Sequence, residues 1–267
     1  MLGIFKKKQY IFCINTGRAG SEYLANILST ANSVWADHEP EPQMIGKYLN
    51  LVTEKEYAET YAQREFKVAE IRKIIRSSFK TNYIETNHMF IKTFYDVVIK
   101  KLKPVKVVFL KRNLVDTLHS FYQLGYFSDR NEAWKEWMIS PYAKTAALPC
   151  LLREEEKDDV GLSLAYLLDI YYRGYRFMEE YPEIPVIEVA LEDLNDRDKV
   201  LELFHFLNLK PTAGTYDLIG QRKNNRSERK KQIGSKEISR DYLVERTNTY
   251  IDKLEAQGYK IRDKVIL

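Results

Sequence analysis

Two short stretches of this chain set arginine and serine, the first of them with glycine, in ways that suit an anion. The first, Thr16-Gly-Arg-Ala-Gly-Ser21, follows the apolar run Tyr10-Ile-Phe-Cys-Ile-Asn15 and precedes a helical pattern at Tyr23, Leu24, Ile27 and Leu28. The order is strand, tight turn, helix. Gly17 and Gly20 let the backbone turn sharply and bring its N–H groups close to a ligand. The new helix adds free N–H groups and its positive dipole end, while Arg18 and Ser21 add a charge and a hydroxyl. A nucleoside-triphosphatase loop reads G-x-x-x-x-G-K-[ST]; here Gly17 and Gly20 are closer together and Ser21 is followed by Glu22. One phosphate fits such a loop better than a triphosphate with its metal. A lone Gly-x-x-Gly turn serves equally to reverse a chain, so a partner site is needed.

The second stretch provides it. Val105-Lys-Val-Val-Phe-Leu110 reads as a buried strand, Asn113 to Tyr122 as a helix, and Arg112 sits at their junction. Ligands collect at that edge of open α/β sheets, and the guanidinium is a planar fork suited to phosphate. Ser120 follows about two helical turns later, on the face of Asp116. The same spacing equally suits an Arg112–Asp116 surface pair with Ser120 left in solvent.

The elements around these stretches alternate. Strands are expected near 10–15, 33–37, 88–93, 105–110 and 184–190, with helices at 21–30, 54–79, 114–125, 163–180, 197–208 and about 237–257. The last helix sets Ile238, Tyr242, Tyr250, Ile251 and Leu254 at spacings that make one apolar face. This order predicts an α/β fold of three layers, a mostly parallel sheet covered by helices on both faces.

Together, the two anion-binding stretches resemble those of the sulfotransferases that use 3′-phosphoadenylyl sulfate (PAPS). In that family an [RK]-x-G-[ST] loop cradles the 5′-phosphosulfate and an R-x(7)-S element holds the 3′-phosphate. Here they correspond to Arg18, Ala19, Gly20 and Ser21, and to Arg112 and Ser120. Val186-Ile-Glu-Val-Ala-Leu-Glu-Asp-Leu194, then a helix ending Phe204-His-Phe-Leu-Asn-Leu209, is similar to the family's late strand, E-D-L and F-L-x-L. The resemblance spans residues 9–210, apart from a middle segment that does not align, and departs at Glu22, where a second hydroxyl is common. It implies a P-loop-like nucleotide-binding fold, PAPS as co-substrate with no metal, and Arg18 to Glu22 around the 5′-phosphosulfate.

Sulfuryl transfer requires the acceptor to lose a proton. Asp37-His38-Glu39 ends the expected second strand, beside the loop in a parallel sheet. The resemblance implies Glu39 as base, with His38 second; Glu39, followed by Pro40, also reads as a strand-end turn carboxylate. His88 or His38 would be the base by analogy with another branch of the family. Lys92, near the end of the expected strand His88-Met-Phe-Ile-Lys-Thr-Phe94, is placed to neutralise charge on the leaving oxygen. A surface lysine with a buried stem is an equally good reading of it. In the basic run 222–231, the resemblance implies a flap at 221–236 with Arg222 and Lys223 on the 3′-phosphate; a solvated loop is the ordinary alternative.

Composition fits one soluble domain over 1–267. The 267 residues are 45% hydrophobic and 13% aromatic, enough for a full core. A net charge of +4 favours an anionic donor without requiring nucleic acid. Cys13 and Cys150 do not make a disulfide framework. The hydrophobic run after Lys6-Lys-Lys8 is too short for a signal peptide or stable membrane insertion, so a cytoplasmic location is expected. Aromatic residues at 122–142, within an expected lid at 121–160, point to a small-molecule acceptor; oligomeric state is not legible. A Mg-ATP phosphotransferase and a non-enzymatic polyanion-binding module are the alternatives.

Overall fold

The computed structural model describes residues 8–221 and 237–267. Among them, five strands form one parallel sheet in the order β2-β3-β1-β4-β5: β1 (Gln9–Ile14), β2 (Val34–Asp37), β3 (Asn82–Glu85), β4 (Val105–Lys111) and β5 (Val186–Ala190). Alternation splits β1 between two cores, as expected of a central strand buried on both faces. Ile11 and Cys13 face a smaller layer with α1 (Ser21–Ser29) and α9 (Arg197–Phe206). Tyr10, Phe12 and Ile14 face a larger one. That layer takes residues of α2 (Lys47–Glu54), α4 (Phe66–Ser77), α5 (Tyr95–Lys101), α6 (Leu114–Gln123), α8 (Asp159–Glu180) and, near the C-terminus, α11 (Arg240–Ala256). The short helices α3 (Tyr57–Arg64), α7 (Trp134–Trp137) and α10 (Ala213–Leu218) complete the described set.

Strand order does the positioning. Because β1 and β4 are neighbours, with Ile14 opposite Phe109, the turns leaving their C-terminal ends lie side by side. On the other flank of β1, β3 delivers residues 86–88, and β2 beyond it delivers residues 37–39, with Asp37 opposite Glu85.

Two expected elements are corrected. Residues 88–93 are not a strand: Phe90–Phe94 is a π-helical turn running into α5. All five of its residues are buried, so its apolar pattern reflects burial on every side rather than alternation on a sheet. The actual strand, Asn82-Tyr-Ile-Glu85, is disguised by Glu85, which is buried against Lys67 at 2.8 Å.

The long helix expected at 54–79 is broken. Lys55 is extended, and Glu56 starts α3 with a reciprocal cap, its N–H donating to Glu59 Oε2 at 2.9 Å. Buried Arg64 then ends α3 by donating to Thr93 O, Tyr57 O and both oxygens of Asp96. On α11, Leu243, Tyr250, Ile251 and Leu254 are buried as a stripe, but Tyr242 is exposed. Both cysteines are free.

Candidate active site

The turn after β1 is held from behind. Asn15 Oδ1 accepts the Gly17 N–H at 2.9 Å, and Asn15 Nδ2 donates to Thr86 O at 3.2 Å, tying the turn to the end of β3. Tyr166 OH donates to Thr16 O at 2.9 Å, and Arg112 Nη1 donates to Arg18 O at 3.0 Å. Gly17, Arg18 and Gly20 take φ of 77°, 58° and 92°. Left-handed backbone in a tight turn is the geometry of anion-binding nests, and strain at a non-glycine residue such as Arg18 concentrates at functional sites. Gly20 caps α1 without a side-chain hydrogen bond, so the helix presents its first amides in the usual anion-binding manner. A Cβ at Gly20 would run into Leu191 Cδ1. Leu191 opens the Leu-Glu-Asp-Leu turn after β5, so that motif closes over the loop. Ala19 is buried, and Glu22 lies exposed in the first turn of α1.

Arg112 and Ser120 meet the loop directly. Arg18 Nε donates to Ser120 Oγ at 3.3 Å, beside the Arg112–Arg18 bond. The backbone of Arg112 is fixed by Tyr171, whose hydroxyl donates to Arg112 O at 2.6 Å and accepts Arg112 N–H at 3.2 Å. The alternative Arg112–Asp116 pair does not form; Asp116 pairs with Arg240 instead. Two guanidinium groups and a buried hydroxyl thus converge between the β1–α1 and β4–α6 junctions. Arg222 and Lys223 lie outside the described residues.

A second cluster adjoins the first. Thr86 donates its single hydroxyl proton to Ser21 O at 2.8 Å, so His38 Nδ1, 3.1 Å from Thr86 Oγ1, carries its own proton. His38 Nε2 then faces Glu39 Oε1 at 3.3 Å, a contact favourable only with a proton between them. From the other side, His88 Nε2 lies 3.8 Å from the same carboxylate oxygen. Lys92 Nζ lies 2.7 Å from His88 Nδ1; a charged lysine donates there and puts the imidazole proton on Nε2, toward Glu39. Burial first, then the Lys92 and His38 charges, holds the His88 pKa well below 6.5. His88 is also stacked on Trp137, with ring centroids 5.6 Å apart.

Lys92 is fully buried on the π turn, not at a strand end. Its remaining N–H groups go to Trp137 O at 2.6 Å and Tyr166 OH at 3.2 Å. Burial lowers its pKa well below 10.5; Glu39 opposes that shift and Arg173 adds to it. It therefore touches the loop through His88 and Tyr166. Among the described residues, no group of three His, Cys, Asp or Glu side chains is placed to hold a metal ion.

In the sequence His88 ranks below Glu39 and His38, Trp137 stands only within the expected aromatic lid, and Tyr166 and Tyr171 give no sign of a role. His88 was obscured by the expected strand. The tyrosines lie on α8, where aromatic residues at helical spacing read as core; only their hydroxyls, at the sheet edge, set them apart.

No protein-family model matches the sequence, and no curated protein is similar to it. Solved structures do match its fold. The sulfotransferase domain of the Synechococcus PCC 7002 olefin synthase is 11% identical, with 92% of this chain and 95% of that one covered and a TM-score of 0.53. A sulfotransferase from Alicyclobacillus acidocaldarius is 15% identical, with 92% and 94% covered and a TM-score of 0.52. The sulfotransferase domain of the curacin biosynthetic pathway is 14% identical, with 97% and 95% covered and a TM-score of 0.51. The chain therefore has the sulfotransferase fold, over nearly its whole length. Among the described residues, no helix is long and apolar enough to cross a membrane.

Proposed function

We propose that this protein is a sulfotransferase that moves the sulfuryl group of PAPS, in line, to a hydroxyl or amine of a small-molecule acceptor. The observation that carries the reading is the meeting of Arg18, Arg112 and Ser120 across two adjacent sheet-edge turns. Gly20, Ser21 and the first amides of α1 hold the 5′-phosphosulfate, with Arg18 stabilising the bisphosphate as it leaves. Arg112 and Ser120 hold the 3′-phosphate. Glu39 takes the acceptor's proton; its carboxylate lies 3.3 Å from His38 Nε2 and 3.8 Å from His88 Nε2, which hold it in place. Lys92 acts through His88, whose Nδ1 it meets at 2.7 Å behind the loop. The acceptor pocket is walled by the aromatic segment around Trp137, which already stacks on His88.

The test is thermal stabilisation by adenosine 3′,5′-bisphosphate beside AMP, ADP and Mg-ATP, followed by release of that bisphosphate from PAPS in the presence of candidate acceptors. Ligand at about 100 times its Kd stabilises a fold by roughly 2.7 kcal/mol. Selective stabilisation by the 3′,5′-bisphosphate is expected. A response to Mg-ATP alone would replace this reading with phosphotransfer.

A further inference from the structure

The edge of the sheet opposite the loop is basic. Lys8 stands immediately before β1, while Lys80 and Lys103 stand two residues before β3 and β4. Pairing sets these three starts side by side: Gln9 N–H donates to Thr81 O at 2.9 Å, and Tyr10 N–H to Pro104 O at 3.1 Å. Neighbouring strands are about 4.8 Å apart, so the three lysine backbones span about 10 Å. Arg76 joins them from the last turn of α4. Burial raises the Tyr10 pKa, and the Arg72 and Arg76 charges oppose that shift from beside the start of β1. Lys73 is paired with Glu70 and Lys101 with Glu65, whereas Arg76, Lys80 and Lys103 stand in no ion pair among the described residues. Segments 30–36, 71–82 and 100–106, which meet here, contain no Asp or Glu; Glu183, ahead of β5, is two strands from β1.

Phe79 stands beside these charges, directly before Lys80. It is 95% exposed and takes a φ of 55°. Ser78 is the C-cap of α4, and the left-handed position after such a cap ordinarily goes to glycine. A large ring held in water on left-handed backbone is unfavourable on both counts, and strain of this kind concentrates at functional positions. A second copy of the same face would bring like charges together, so charge complementarity selects an anionic partner. The apolar residues select lipid over nucleic acid. A ring can stack on a base, but the sequence ahead of Lys8, Met1-Leu-Gly-Ile-Phe5 and then Lys6-Lys7, adds aliphatic side chains that partition into lipid and give nothing to a nucleic acid.

We propose that this face docks reversibly on an anionic lipid surface, with Arg76, Lys80 and Lys103 against the headgroups and Phe79 at the boundary with the acyl chains. The six residues of β1 put about 20 Å between this edge and the loop, so a docked molecule keeps Arg18 and Glu39 turned away from the lipid. The proposal does not depend on the sulfuryl-transfer assignment.

The test is co-sedimentation of the full-length protein with vesicles of phosphatidylcholine containing one-quarter phosphatidylserine, beside vesicles of phosphatidylcholine alone. Binding at least tenfold stronger to the mixed vesicles is expected, and it should weaken as salt is raised. Lys80→Glu/Lys103→Glu should weaken it at least tenfold. Phe79→Gly should weaken it about fivefold while raising the urea midpoint, because glycine suits this backbone; the loss then cannot come from unfolding. No binding, equal binding to phosphatidylcholine alone, or tighter binding to a single-stranded oligonucleotide than to the mixed vesicles would overturn the proposal. So would vesicle binding that survives Lys80→Glu/Lys103→Glu, which would put the contact on the basic run 222–231 instead.

Discussion

Replacing Lys67 by methionine tests how the Glu39 turn is held. The Lys67 ammonium and the Glu85 carboxylate are 2.8 Å apart and essentially without solvent contact, at 1% and 0% exposure. Lys67 also donates to Pro40 O at 3.3 Å and Pro42 O at 2.9 Å, so it fastens the turn carrying Glu39 to the end of β3. At an effective dielectric of about 20, unit charges at this separation attract by about 6 kcal/mol, offset by the desolvation of both ions. Removing one partner strands the other, and such losses run to about 3–5 kcal/mol. For a chain of this size, about 2–4 °C per kcal/mol converts that to a melting shift of about 6–20 °C. Glu85→Gln keeps an acceptor for Tyr83 OH, which donates to Glu85 at 2.6 Å, but removes the charge. The double variant Lys67→Met/Glu85→Gln should therefore be more stable than Lys67→Met alone. Urea denaturation of the wild type, both single variants and the double variant gives the coupling directly. Simple additivity, or a loss under about 1 kcal/mol for Lys67→Met, would refute the reasoning.

Four further outcomes follow from the site. Glu39→Ala should leave adenosine 3′,5′-bisphosphate binding intact while sulfuryl transfer falls about 10²–10⁴-fold in a PAPS turnover assay. Arg112→Ala should weaken the 3′,5′-bisphosphate by about 10–100-fold in calorimetry, the worth of a charged hydrogen bond, and weaken AMP far less. Gly20→Ala should cost about 2–4 kcal/mol in urea denaturation, because φ is 92° and the new methyl meets Leu191. His88, with its pKa held well below 6.5 in the fold, takes up less proton than the unfolded chain, so its contribution to stability should fall as pH drops below about 6.5 and be level above it. Urea midpoints measured across pH 5–8 should show this slope, reduced in His88→Gln.

The loop and its partner arginine were legible because glycine, arginine and an abrupt change from strand to helix are local signals. Parallel order followed from the alternation of elements, which restricts how a chain can cross over a sheet. What escaped is non-local. Glu85 looks like a strand breaker until Lys67, arriving from α4, neutralises it. His88, Lys92 and Tyr166 are ordinary residues in sequence and become a cluster only when β3 and α8 are laid beside β1. The π turn had no recognisable pattern at all, since a segment buried on every side carries no period.

The bond from Arg112 to the carbonyl of Arg18 has a consequence for how this site can change through descent. One guanidinium braces the first turn at Arg18, the residue whose own side chain engages the Ser120 hydroxyl. Loss of Arg112 would thus remove one of the bonds that hold the loop, while Asn15 and Tyr166 keep theirs, together with the ligand contact proposed for it. Positions 18, 112 and 120 are therefore expected to change together through descent, although 94 residues separate Arg18 from Arg112.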